Sequence, residues 1–401
     1  MVMARAPLDP AKQVAMVLLR ESGIQQADIA ARFGVTQSTV SRVLGQAVRR
    51  GVLRKSMSIE RSLIDPNVLR RAQDIADAPP PIQERLTALA TGGEAQHPVT
   101  VRIFATGEAG RPTGDVDERT RFFGNAAARH VHELLKSLNG SCGVTWGHSI
   151  GAVVQGIEAL RAPPRARGEL LRIVPLCGDP MVEDSAALFS SSVLAERLSS
   201  AMGIETPKGL SLAMLPAWLP GDFSVAEVNT VWKLIGEMHA YSAIFGGRQM
   251  RAANPTSANK TSTHYASRLD MILTGISASG RPLGDGRGPL FESGGLKETT
   301  FKQLVLADLG GVLIEKGYLS QGQKSTLSRL KARWTGLSEG ELRRCAERAA
   351  RPDSRSHLPG VVVVALGRQK AEPLRVAVER RLVNCLLIDA ELAEELALRC
   401  P

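Results

Sequence analysis

Cysteine is scarce: Cys142, Cys177, Cys345, Cys385 and Cys400 are the five in 401 residues, odd in number and without a CxxC pair. That scatter argues against a disulfide framework and against zinc, and leaves five small hydrophobes for a core. Of seven histidines only His130 and His132 lie close together, and their i, i+2 spacing points them to different faces of a helix, so no metal site is expected. Runs of about 18 or more apolar residues are lacking, which excludes a membrane-spanning helix and a membrane partner. The opening MVMARAPLDPAK has no apolar signal core, so the expected compartment is the cytoplasm. The Gly-x4-Gly-Lys-Ser/Thr phosphate loop is missing too, and no motif calls for a cofactor.

What is present is an ordinary globular composition, 43% apolar and 22% charged, at a length that suggests one small domain and one large one. Charge is unevenly spread. Residues 1–61 carry ten Lys/Arg against four Asp/Glu, so six of the ten net positive charges sit in that first segment. Concentrated basicity suits phosphate neutralisation, although a solvated basic surface has the same composition.

Beneath the charge lies a helical pattern. Val14, Val17 and Leu18 follow Pro10 at helical spacing and stop near Ser22-Gly23. A second helix is expected from about 25 to 33, packing through Ile29, Ala30 and Phe33, with Gly34 making the turn. Thr36 then caps a third helix over 37–47, whose apolar stripe is Val40, Val43, Leu44 and Ala47. The opposite face presents Gln37, Ser38, Thr39, Ser41 and Arg42, with Gln26 at the start of the preceding helix. Short polar and forked donors at a helix N-terminus are the groups that reach base edges in the major groove. Residues 25–44 therefore read as a helix-turn-helix, and an ordinary helical hairpin is the weaker reading.

After Gly51, residues 52–59 look extended, either a short wing strand with Arg54 and Lys55 near phosphate or a linker strand. Residues 65–78 are amphipathic up to Pro79-Pro80-Pro81. The expected division is a DNA-binding domain over 1–61, a helical linker over 62–91 and a larger domain over 92–401.

From residue 99 apolar strands alternate with helices, which implies a mostly parallel sheet covered on both faces. Strands are expected at 99–105, 142–145, 171–176, 269–273, 303–307, 361–365 and 382–388. Ligands of such sheets bind beyond the carboxyl ends of the strands. There the segment Gly143-Val144-Thr145-Trp146-Gly147-His148-Ser149, followed by Ile150, Val153, Val154 and Ile157, reads as strand, tight turn and helix. Backbone N–H groups at such a helix start, with the Ser149 hydroxyl, suit an anion such as a sugar phosphate.

Five strings in order resemble the SorC family of regulators: CGVTWGHSIGAVV, RIVPLCGD, DMILTGISASG, LADLGGVLIEKG and VVVVALGRQKAEPLRVAVERRLVNCLLIDAELAEEL. The resemblance implies an α/β fold: an all-α helix-turn-helix followed by a Rossmann-like, mostly parallel α/β effector domain of the sugar-phosphate isomerase and deaminase type. It implies a homo-oligomer, dimer or tetramer, and a double-stranded DNA operator whose affinity responds to a carbohydrate or sugar-phosphate effector. Carried over by position, Gly147, His148 and Ser149 match the loop that holds phosphate, Lys370 a basic residue near it, and Gly275 and Asp308 strand ends lining the same crevice. Asp308 suits sugar hydroxyls or, equally, capping of the turn that follows it. Ser149 stands where the family has Thr, Gly275-Ile276-Ser277 where it has Gly-Ile-Gly, and Ala307-Asp308 where it has Gly-Asp. Long loops are expected across 246–295, where Arg248 and Arg251 either cover the pocket or are solvated.

Two other readings stay open. One is a sugar-phosphate isomerase or deaminase with an accessory DNA-binding head and Asp308 or Lys370 as proton carrier, although no complete acid/base constellation is seen and no catalytic residue is assigned. The other is a regulator whose pocket has decayed to an oligomerisation domain.

Overall fold

The computed structural model describes residues 8–21, 24–53, 63–65, 68, 81–91, 97–104, 106–107, 115–160, 170–179, 189–204, 209–246, 264–278, 298–351 and 358–400. The expected wing beyond Leu53, most of 65–78, and Arg248 and Arg251 lie outside these residues.

Three helices form the head: α1 (Pro10–Glu21), α2 (Gln26–Phe33) and α3 (Gln37–Arg49). Their apolar stripes meet in a small core of Ala15, Met16, Leu19, Ile29, Val40 and Leu44, all nearly or fully buried. Gly34 closes α2 in the left-handed conformation at φ 61°, and Val35 N–H then bonds to Ala30 O at 3.0 Å, which turns the chain into α3. The third helix runs two residues beyond the expected end, to Arg49.

Next comes α4 (Pro81–Thr91), in the stretch expected as a helical linker. Its Ile82, Leu86 and Ala90 are buried in the core beneath the sheet, and the Arg85 guanidinium bonds to Ala397 O and Cys400 O at the far end of the chain. Then come β1 (Thr100–Phe104), α5 (Val116–Ser137), β2 (Ser141–Val144), α6 (His148–Ala159), β3 (Arg172–Pro175), α7 (Ser191–Ala201), α8 (Val225–Glu237), α9 (His239–Phe245) and β4 (Met271–Ala278). The rest is α10 (Glu298–Leu304), β5 (Val305–Leu309), β6 (Val312–Glu315), α11 (Gln321–Lys331), α12 (Glu339–Ala349), β7 (Gly360–Ala365), α13 (Ala371–Glu379), β8 (Cys385–Asp389) and α14 (Ala390–Arg399).

Six strands pair in parallel in the order β1-β8-β7-β4-β2-β3, while β5 joins the distal part of β4 antiparallel and pairs with β6. Strand β7 shows why this is a central strand: Val361, Val363 and Ala365 face one core and Val362 and Val364 the other, all at 0% exposure. One face is covered by α5, α6 and α7 through Phe123, Val131, Ile150, Val153 and Leu194. The other is covered by α4, α12, α13 and α14 through Leu86, Leu342, Leu374 and Leu392. Helices following β2 and those following β4 thus lie on opposite faces, which opens a crevice between the carboxyl ends of these neighbours. All five cysteines are free and buried, as small core residues. Burial pushes the thiols of Cys142 and Cys177 up to about 12.

Strand boundaries agree with expectation to within two residues except around the hairpin and at β8, which begins at Cys385 and not at residue 382. Strand β4 continues to Ala278 because its far end finds a partner in β5, with Ile276 opposite Leu309 and Ala278 opposite Ala307. Strand β6 was not foreseen. Its apolar residues read as one run with those of β5 until Gly310 and Gly311, both at positive φ, fold the run back on itself.

Candidate functional site

The head presents one polar face. Gln37, Ser38, Ser41 and Arg42 are exposed on α3, while Thr39 and Gln26 are half-buried beside them. Thr36 fixes the start of this helix: its hydroxyl accepts from Thr39 N–H at 3.3 Å and lies 2.9 Å from the hydroxyls of both Ser38 and Thr39. Gln37, Ser41 and Arg42 thereby leave the first two turns of a capped helix with their side chains toward solvent. Arg49 and Arg50 extend the exposed basic surface at its far end.

In the larger domain the crevice begins at β2. Past Val144 the backbone is held on both sides: Thr145 N–H donates to Leu273 O at 3.1 Å, and the Ser191 hydroxyl donates to Val144 O at 2.6 Å while accepting from Leu176 N–H at 2.8 Å. Gly147 then caps α6 at φ 131°, ψ 152°. A Cβ there would meet nothing within 4 Å, so it is the backbone angle and not the space that requires glycine. Because Gly147 offers no side chain, the start of α6 has no side-chain cap, and the first N–H groups of the helix have no intrahelical acceptor. His148 is exposed and packs on the Phe189 ring at 4.3 Å between centroids; Phe189 O in turn accepts from Gly147 N–H at 3.3 Å. Ser149 is half-buried beside it.

Opposite stands the end of β4. Thr274 is buried and accepts from the Thr145 hydroxyl at 2.9 Å, and Gly275 follows it with nothing nearer to a built Cβ than Trp146 O and Val364 O at 3.9 Å. One strand further, after β7, the chain turns at Gly367 into a short 3-10 turn, Arg368–Lys370. Gly367 N–H is held by the Asp389 carboxylate at 3.1 Å, which also caps α14 and pairs with Arg119 of α5 at 3.2 Å. Burial lowers Lys370 to about 8, and only the neighbouring Asp389 opposes that shift. Since β2 and β7 are separated by β4 alone, Gly147 and Lys370 follow strand ends roughly 10 Å apart, about the reach of a phosphorylated sugar.

Asp308 lies away from these strand ends, within β5 and opposite Ser277. It is 6% exposed, and its carboxylate accepts from Gly311 N–H, which is the turn-capping role. Burial raises it to about 7 against the opposing effect of that bond. The turn it holds presses on the crevice wall, because a Cβ on Gly310 would collide with Thr274 and Thr145. The structure therefore brings Gly147, His148, Ser149, Gly275 and Lys370 to one end of the sheet, with Asp308 behind them. Sequence reasoning missed Thr145, Thr274, Phe189 and Asp389. Only Asp389 left a local signal, as an Asp opening an amphipathic helix.

Against this geometry, residues 8–60 match the MarR family model, a helix-turn-helix family, in a stretch that includes α1, α2 and α3. Among curated proteins none matches the sequence. Among solved structures, the full-length sorbitol operon regulator SorC from Klebsiella pneumoniae superposes with a TM-score of 0.50 at 17% identity, over 96% of this chain and 97% of that one. The fold is of the SorC type. A sor operon regulator from Shigella flexneri matches at TM-score 0.50 and 16% identity, over 79% of this chain and 97% of its own. The sugar-binding domain of a transcriptional repressor from Vibrio fischeri matches at TM-score 0.50 and 15% identity, over 80% and 98%. The SorC-type architecture expected from the five sequence strings, a helical head followed by a mostly parallel α/β domain, is present.

Proposed function

We propose that this chain is a sequence-specific DNA-binding transcriptional regulator whose operator affinity is set by a carbohydrate or sugar-phosphate effector in the crevice between β2 and β4. The observation that carries the reading is one chain with two ends to its chemistry: an exposed polar, basic recognition helix, and an uncapped helix start at a sheet switch point. The SorC-type fold along 96% of the chain supports it. Division at residues 61 and 91 belongs to the same proposal, with α4 tying the connection to the larger domain.

In this reading Gln37, Ser41 and Arg42 contact base edges, with Ser38, Thr39 and Gln26 placed for backbone phosphates. The α6 N-terminus at Gly147, His148 and Ser149 takes the phosphate, and Lys370 neutralises it. Gly275 leaves room for the sugar between them. Asp308 acts by holding the Gly310 turn against the two threonines. A homo-oligomer sets two heads on two half-sites, and effector binding changes their spacing. A physical route exists: Arg119 and Arg129 lie on one helix, α5, the first pairing with Asp389 beside Lys370 and the second with Glu21 of the head at 3.6 Å.

The test is thermal shift against a panel of sugar phosphates, wild type beside Ser149→Asp. At least one compound raises the melting temperature of the wild type, and the added carboxylate removes that rise by repulsion. A panel that moves neither protein removes the effector crevice. Turnover of a sugar phosphate would favour the enzyme reading instead.

A further inference from the structure

Trp146, Trp218, Trp232 and Trp334 are the four tryptophans of the chain, and the fold gathers them. Trp218, Trp232 and Trp334 line a cavity of about 710 Å³ together with Tyr241 and Phe245. Trp146 packs on Trp334 at 5.6 Å between centroids, and Trp218 packs on it at 4.8 Å. Such a volume is that of a small-molecule site. It is separate from the effector crevice: none of Gly147, Ser149, Gly275, Asp308 or Lys370 lines it. Its walls are α8, α9, the β5–β6 turn at Gly311, the start of β6, the end of α11 and the start of α12.

The polar groups on this wall are unevenly satisfied. The Trp232 and Trp334 indoles donate to Ala332 O at 3.1 Å and Leu337 O at 2.7 Å. The Trp218 indole, in a residue 3% exposed, has no acceptor among the described residues. Arg344 likewise has no hydrogen bond or ion pair among the described residues, and its Nε is buried. Its helix neighbours are engaged, Arg343 with Glu339 at 2.8 Å and Arg348 with Asp270 at 3.2 Å. The carboxylates nearest in sequence are also taken: Glu339 by Arg343, and Glu341 by Ser338 N–H and hydroxyl, each at 2.7 Å.

The Trp218 and Arg344 groups are donors, one of them a full positive charge. A buried donor left unpaired loses its hydration with nothing in exchange, and a guanidinium is matched best by the two oxygens of a carboxylate. Indole and phenol faces on several sides select a flat, apolar body. We propose that this cavity binds a planar organic anion of the aryl carboxylate class, its ring among Trp218, Trp232 and Tyr241 and its carboxylate on Arg344. The occupant would press on Trp334, whose ring also meets Trp146, the residue before the Gly147 loop.

The test is isothermal titration calorimetry of the full chain with 1-naphthoate, and with 1-naphthamide as the uncharged analogue. Saturable binding of the acid is expected, with the amide at least tenfold weaker. Arg344→Gln, at the cavity rim, weakens the acid at least tenfold and leaves the amide unchanged. Val228→Trp, which fills the cavity without removing the charge, abolishes both when its melting temperature shows a folded protein. Lys370→Met binds 1-naphthoate as the wild type does, which keeps this result independent of the proposed effector crevice. No saturable heat in the wild type, equal binding by Arg344→Gln, or loss in Lys370→Met would each overturn the site.

Discussion

At the scale of single residues the chemistry rests on two groups moved toward neutrality by burial. A carboxyl titrates near 4 in an unfolded chain, and Asp308 titrates at about 7 in the fold. The folded state holds the proton more tightly, so this contribution to stability is full below about pH 4 and is lost as the pH rises through 7. Asp308→Asn keeps an acceptor for Gly311 N–H and carries no charge. Its advantage over the wild type should therefore grow from little at pH 4 to about 4 kcal/mol at pH 8. Parallel melting curves of the two proteins across that range would contradict the buried charge. Lys370 gives the complementary dependence. With its ammonium at about 8, it is charged at neutral pH and loses the charge above, so affinity for a phosphorylated effector should fall between pH 7 and 9. Calorimetry on Lys370→Met should show weaker binding without that fall. Gly147, His148 and Ser149 were legible in the sequence because strand, glycine and helix follow one another there. The Thr145 to Thr274 bond joins residues 129 apart, and no local pattern announces it.

At the scale of elements, the head was almost fully legible, since each helix is fixed by its own stripe, cap or turn. Thr36→Ala removes the cap on α3 and should cost about 0.5–2 kcal/mol of stability with a matching loss of DNA affinity. Arg42→Ala lies on the exposed face of the same helix. It should leave the melting temperature unchanged and weaken the specific site by about 1–3 kcal/mol, which anisotropy with specific and random duplexes would separate. Unchanged specific affinity would remove α3 as the reading helix. The β5–β6 hairpin was the least legible element. Its strands are short, β5 runs straight on from a helix, and β5 pairs with the end of β4 rather than with a neighbour in a parallel series. Gly310 and Gly311 held the clue, because two glycines inside an apolar run mark a reversal.

At the scale of the whole molecule, the sheet order places the crevice at one end of β2 and β4, and α5 runs from beside it toward the head. The Arg129 to Glu21 pair is partly exposed and is worth at most about 1 kcal/mol on its own, so coupling must be shared with the packing of α5 on the sheet. The central claim is that one chain reads DNA and that a sugar-type ligand alters the reading. Selection of bound duplexes from a random pool, followed by anisotropy titration of the recovered site with and without the stabilising sugar phosphate, tests both halves at once. The account predicts a site with two related half-sites and a change of about 5- to 150-fold in affinity on adding the ligand, lost in Lys370→Met. Recovery of no preferred sequence, or identical affinity with and without a ligand that demonstrably binds, would contradict it.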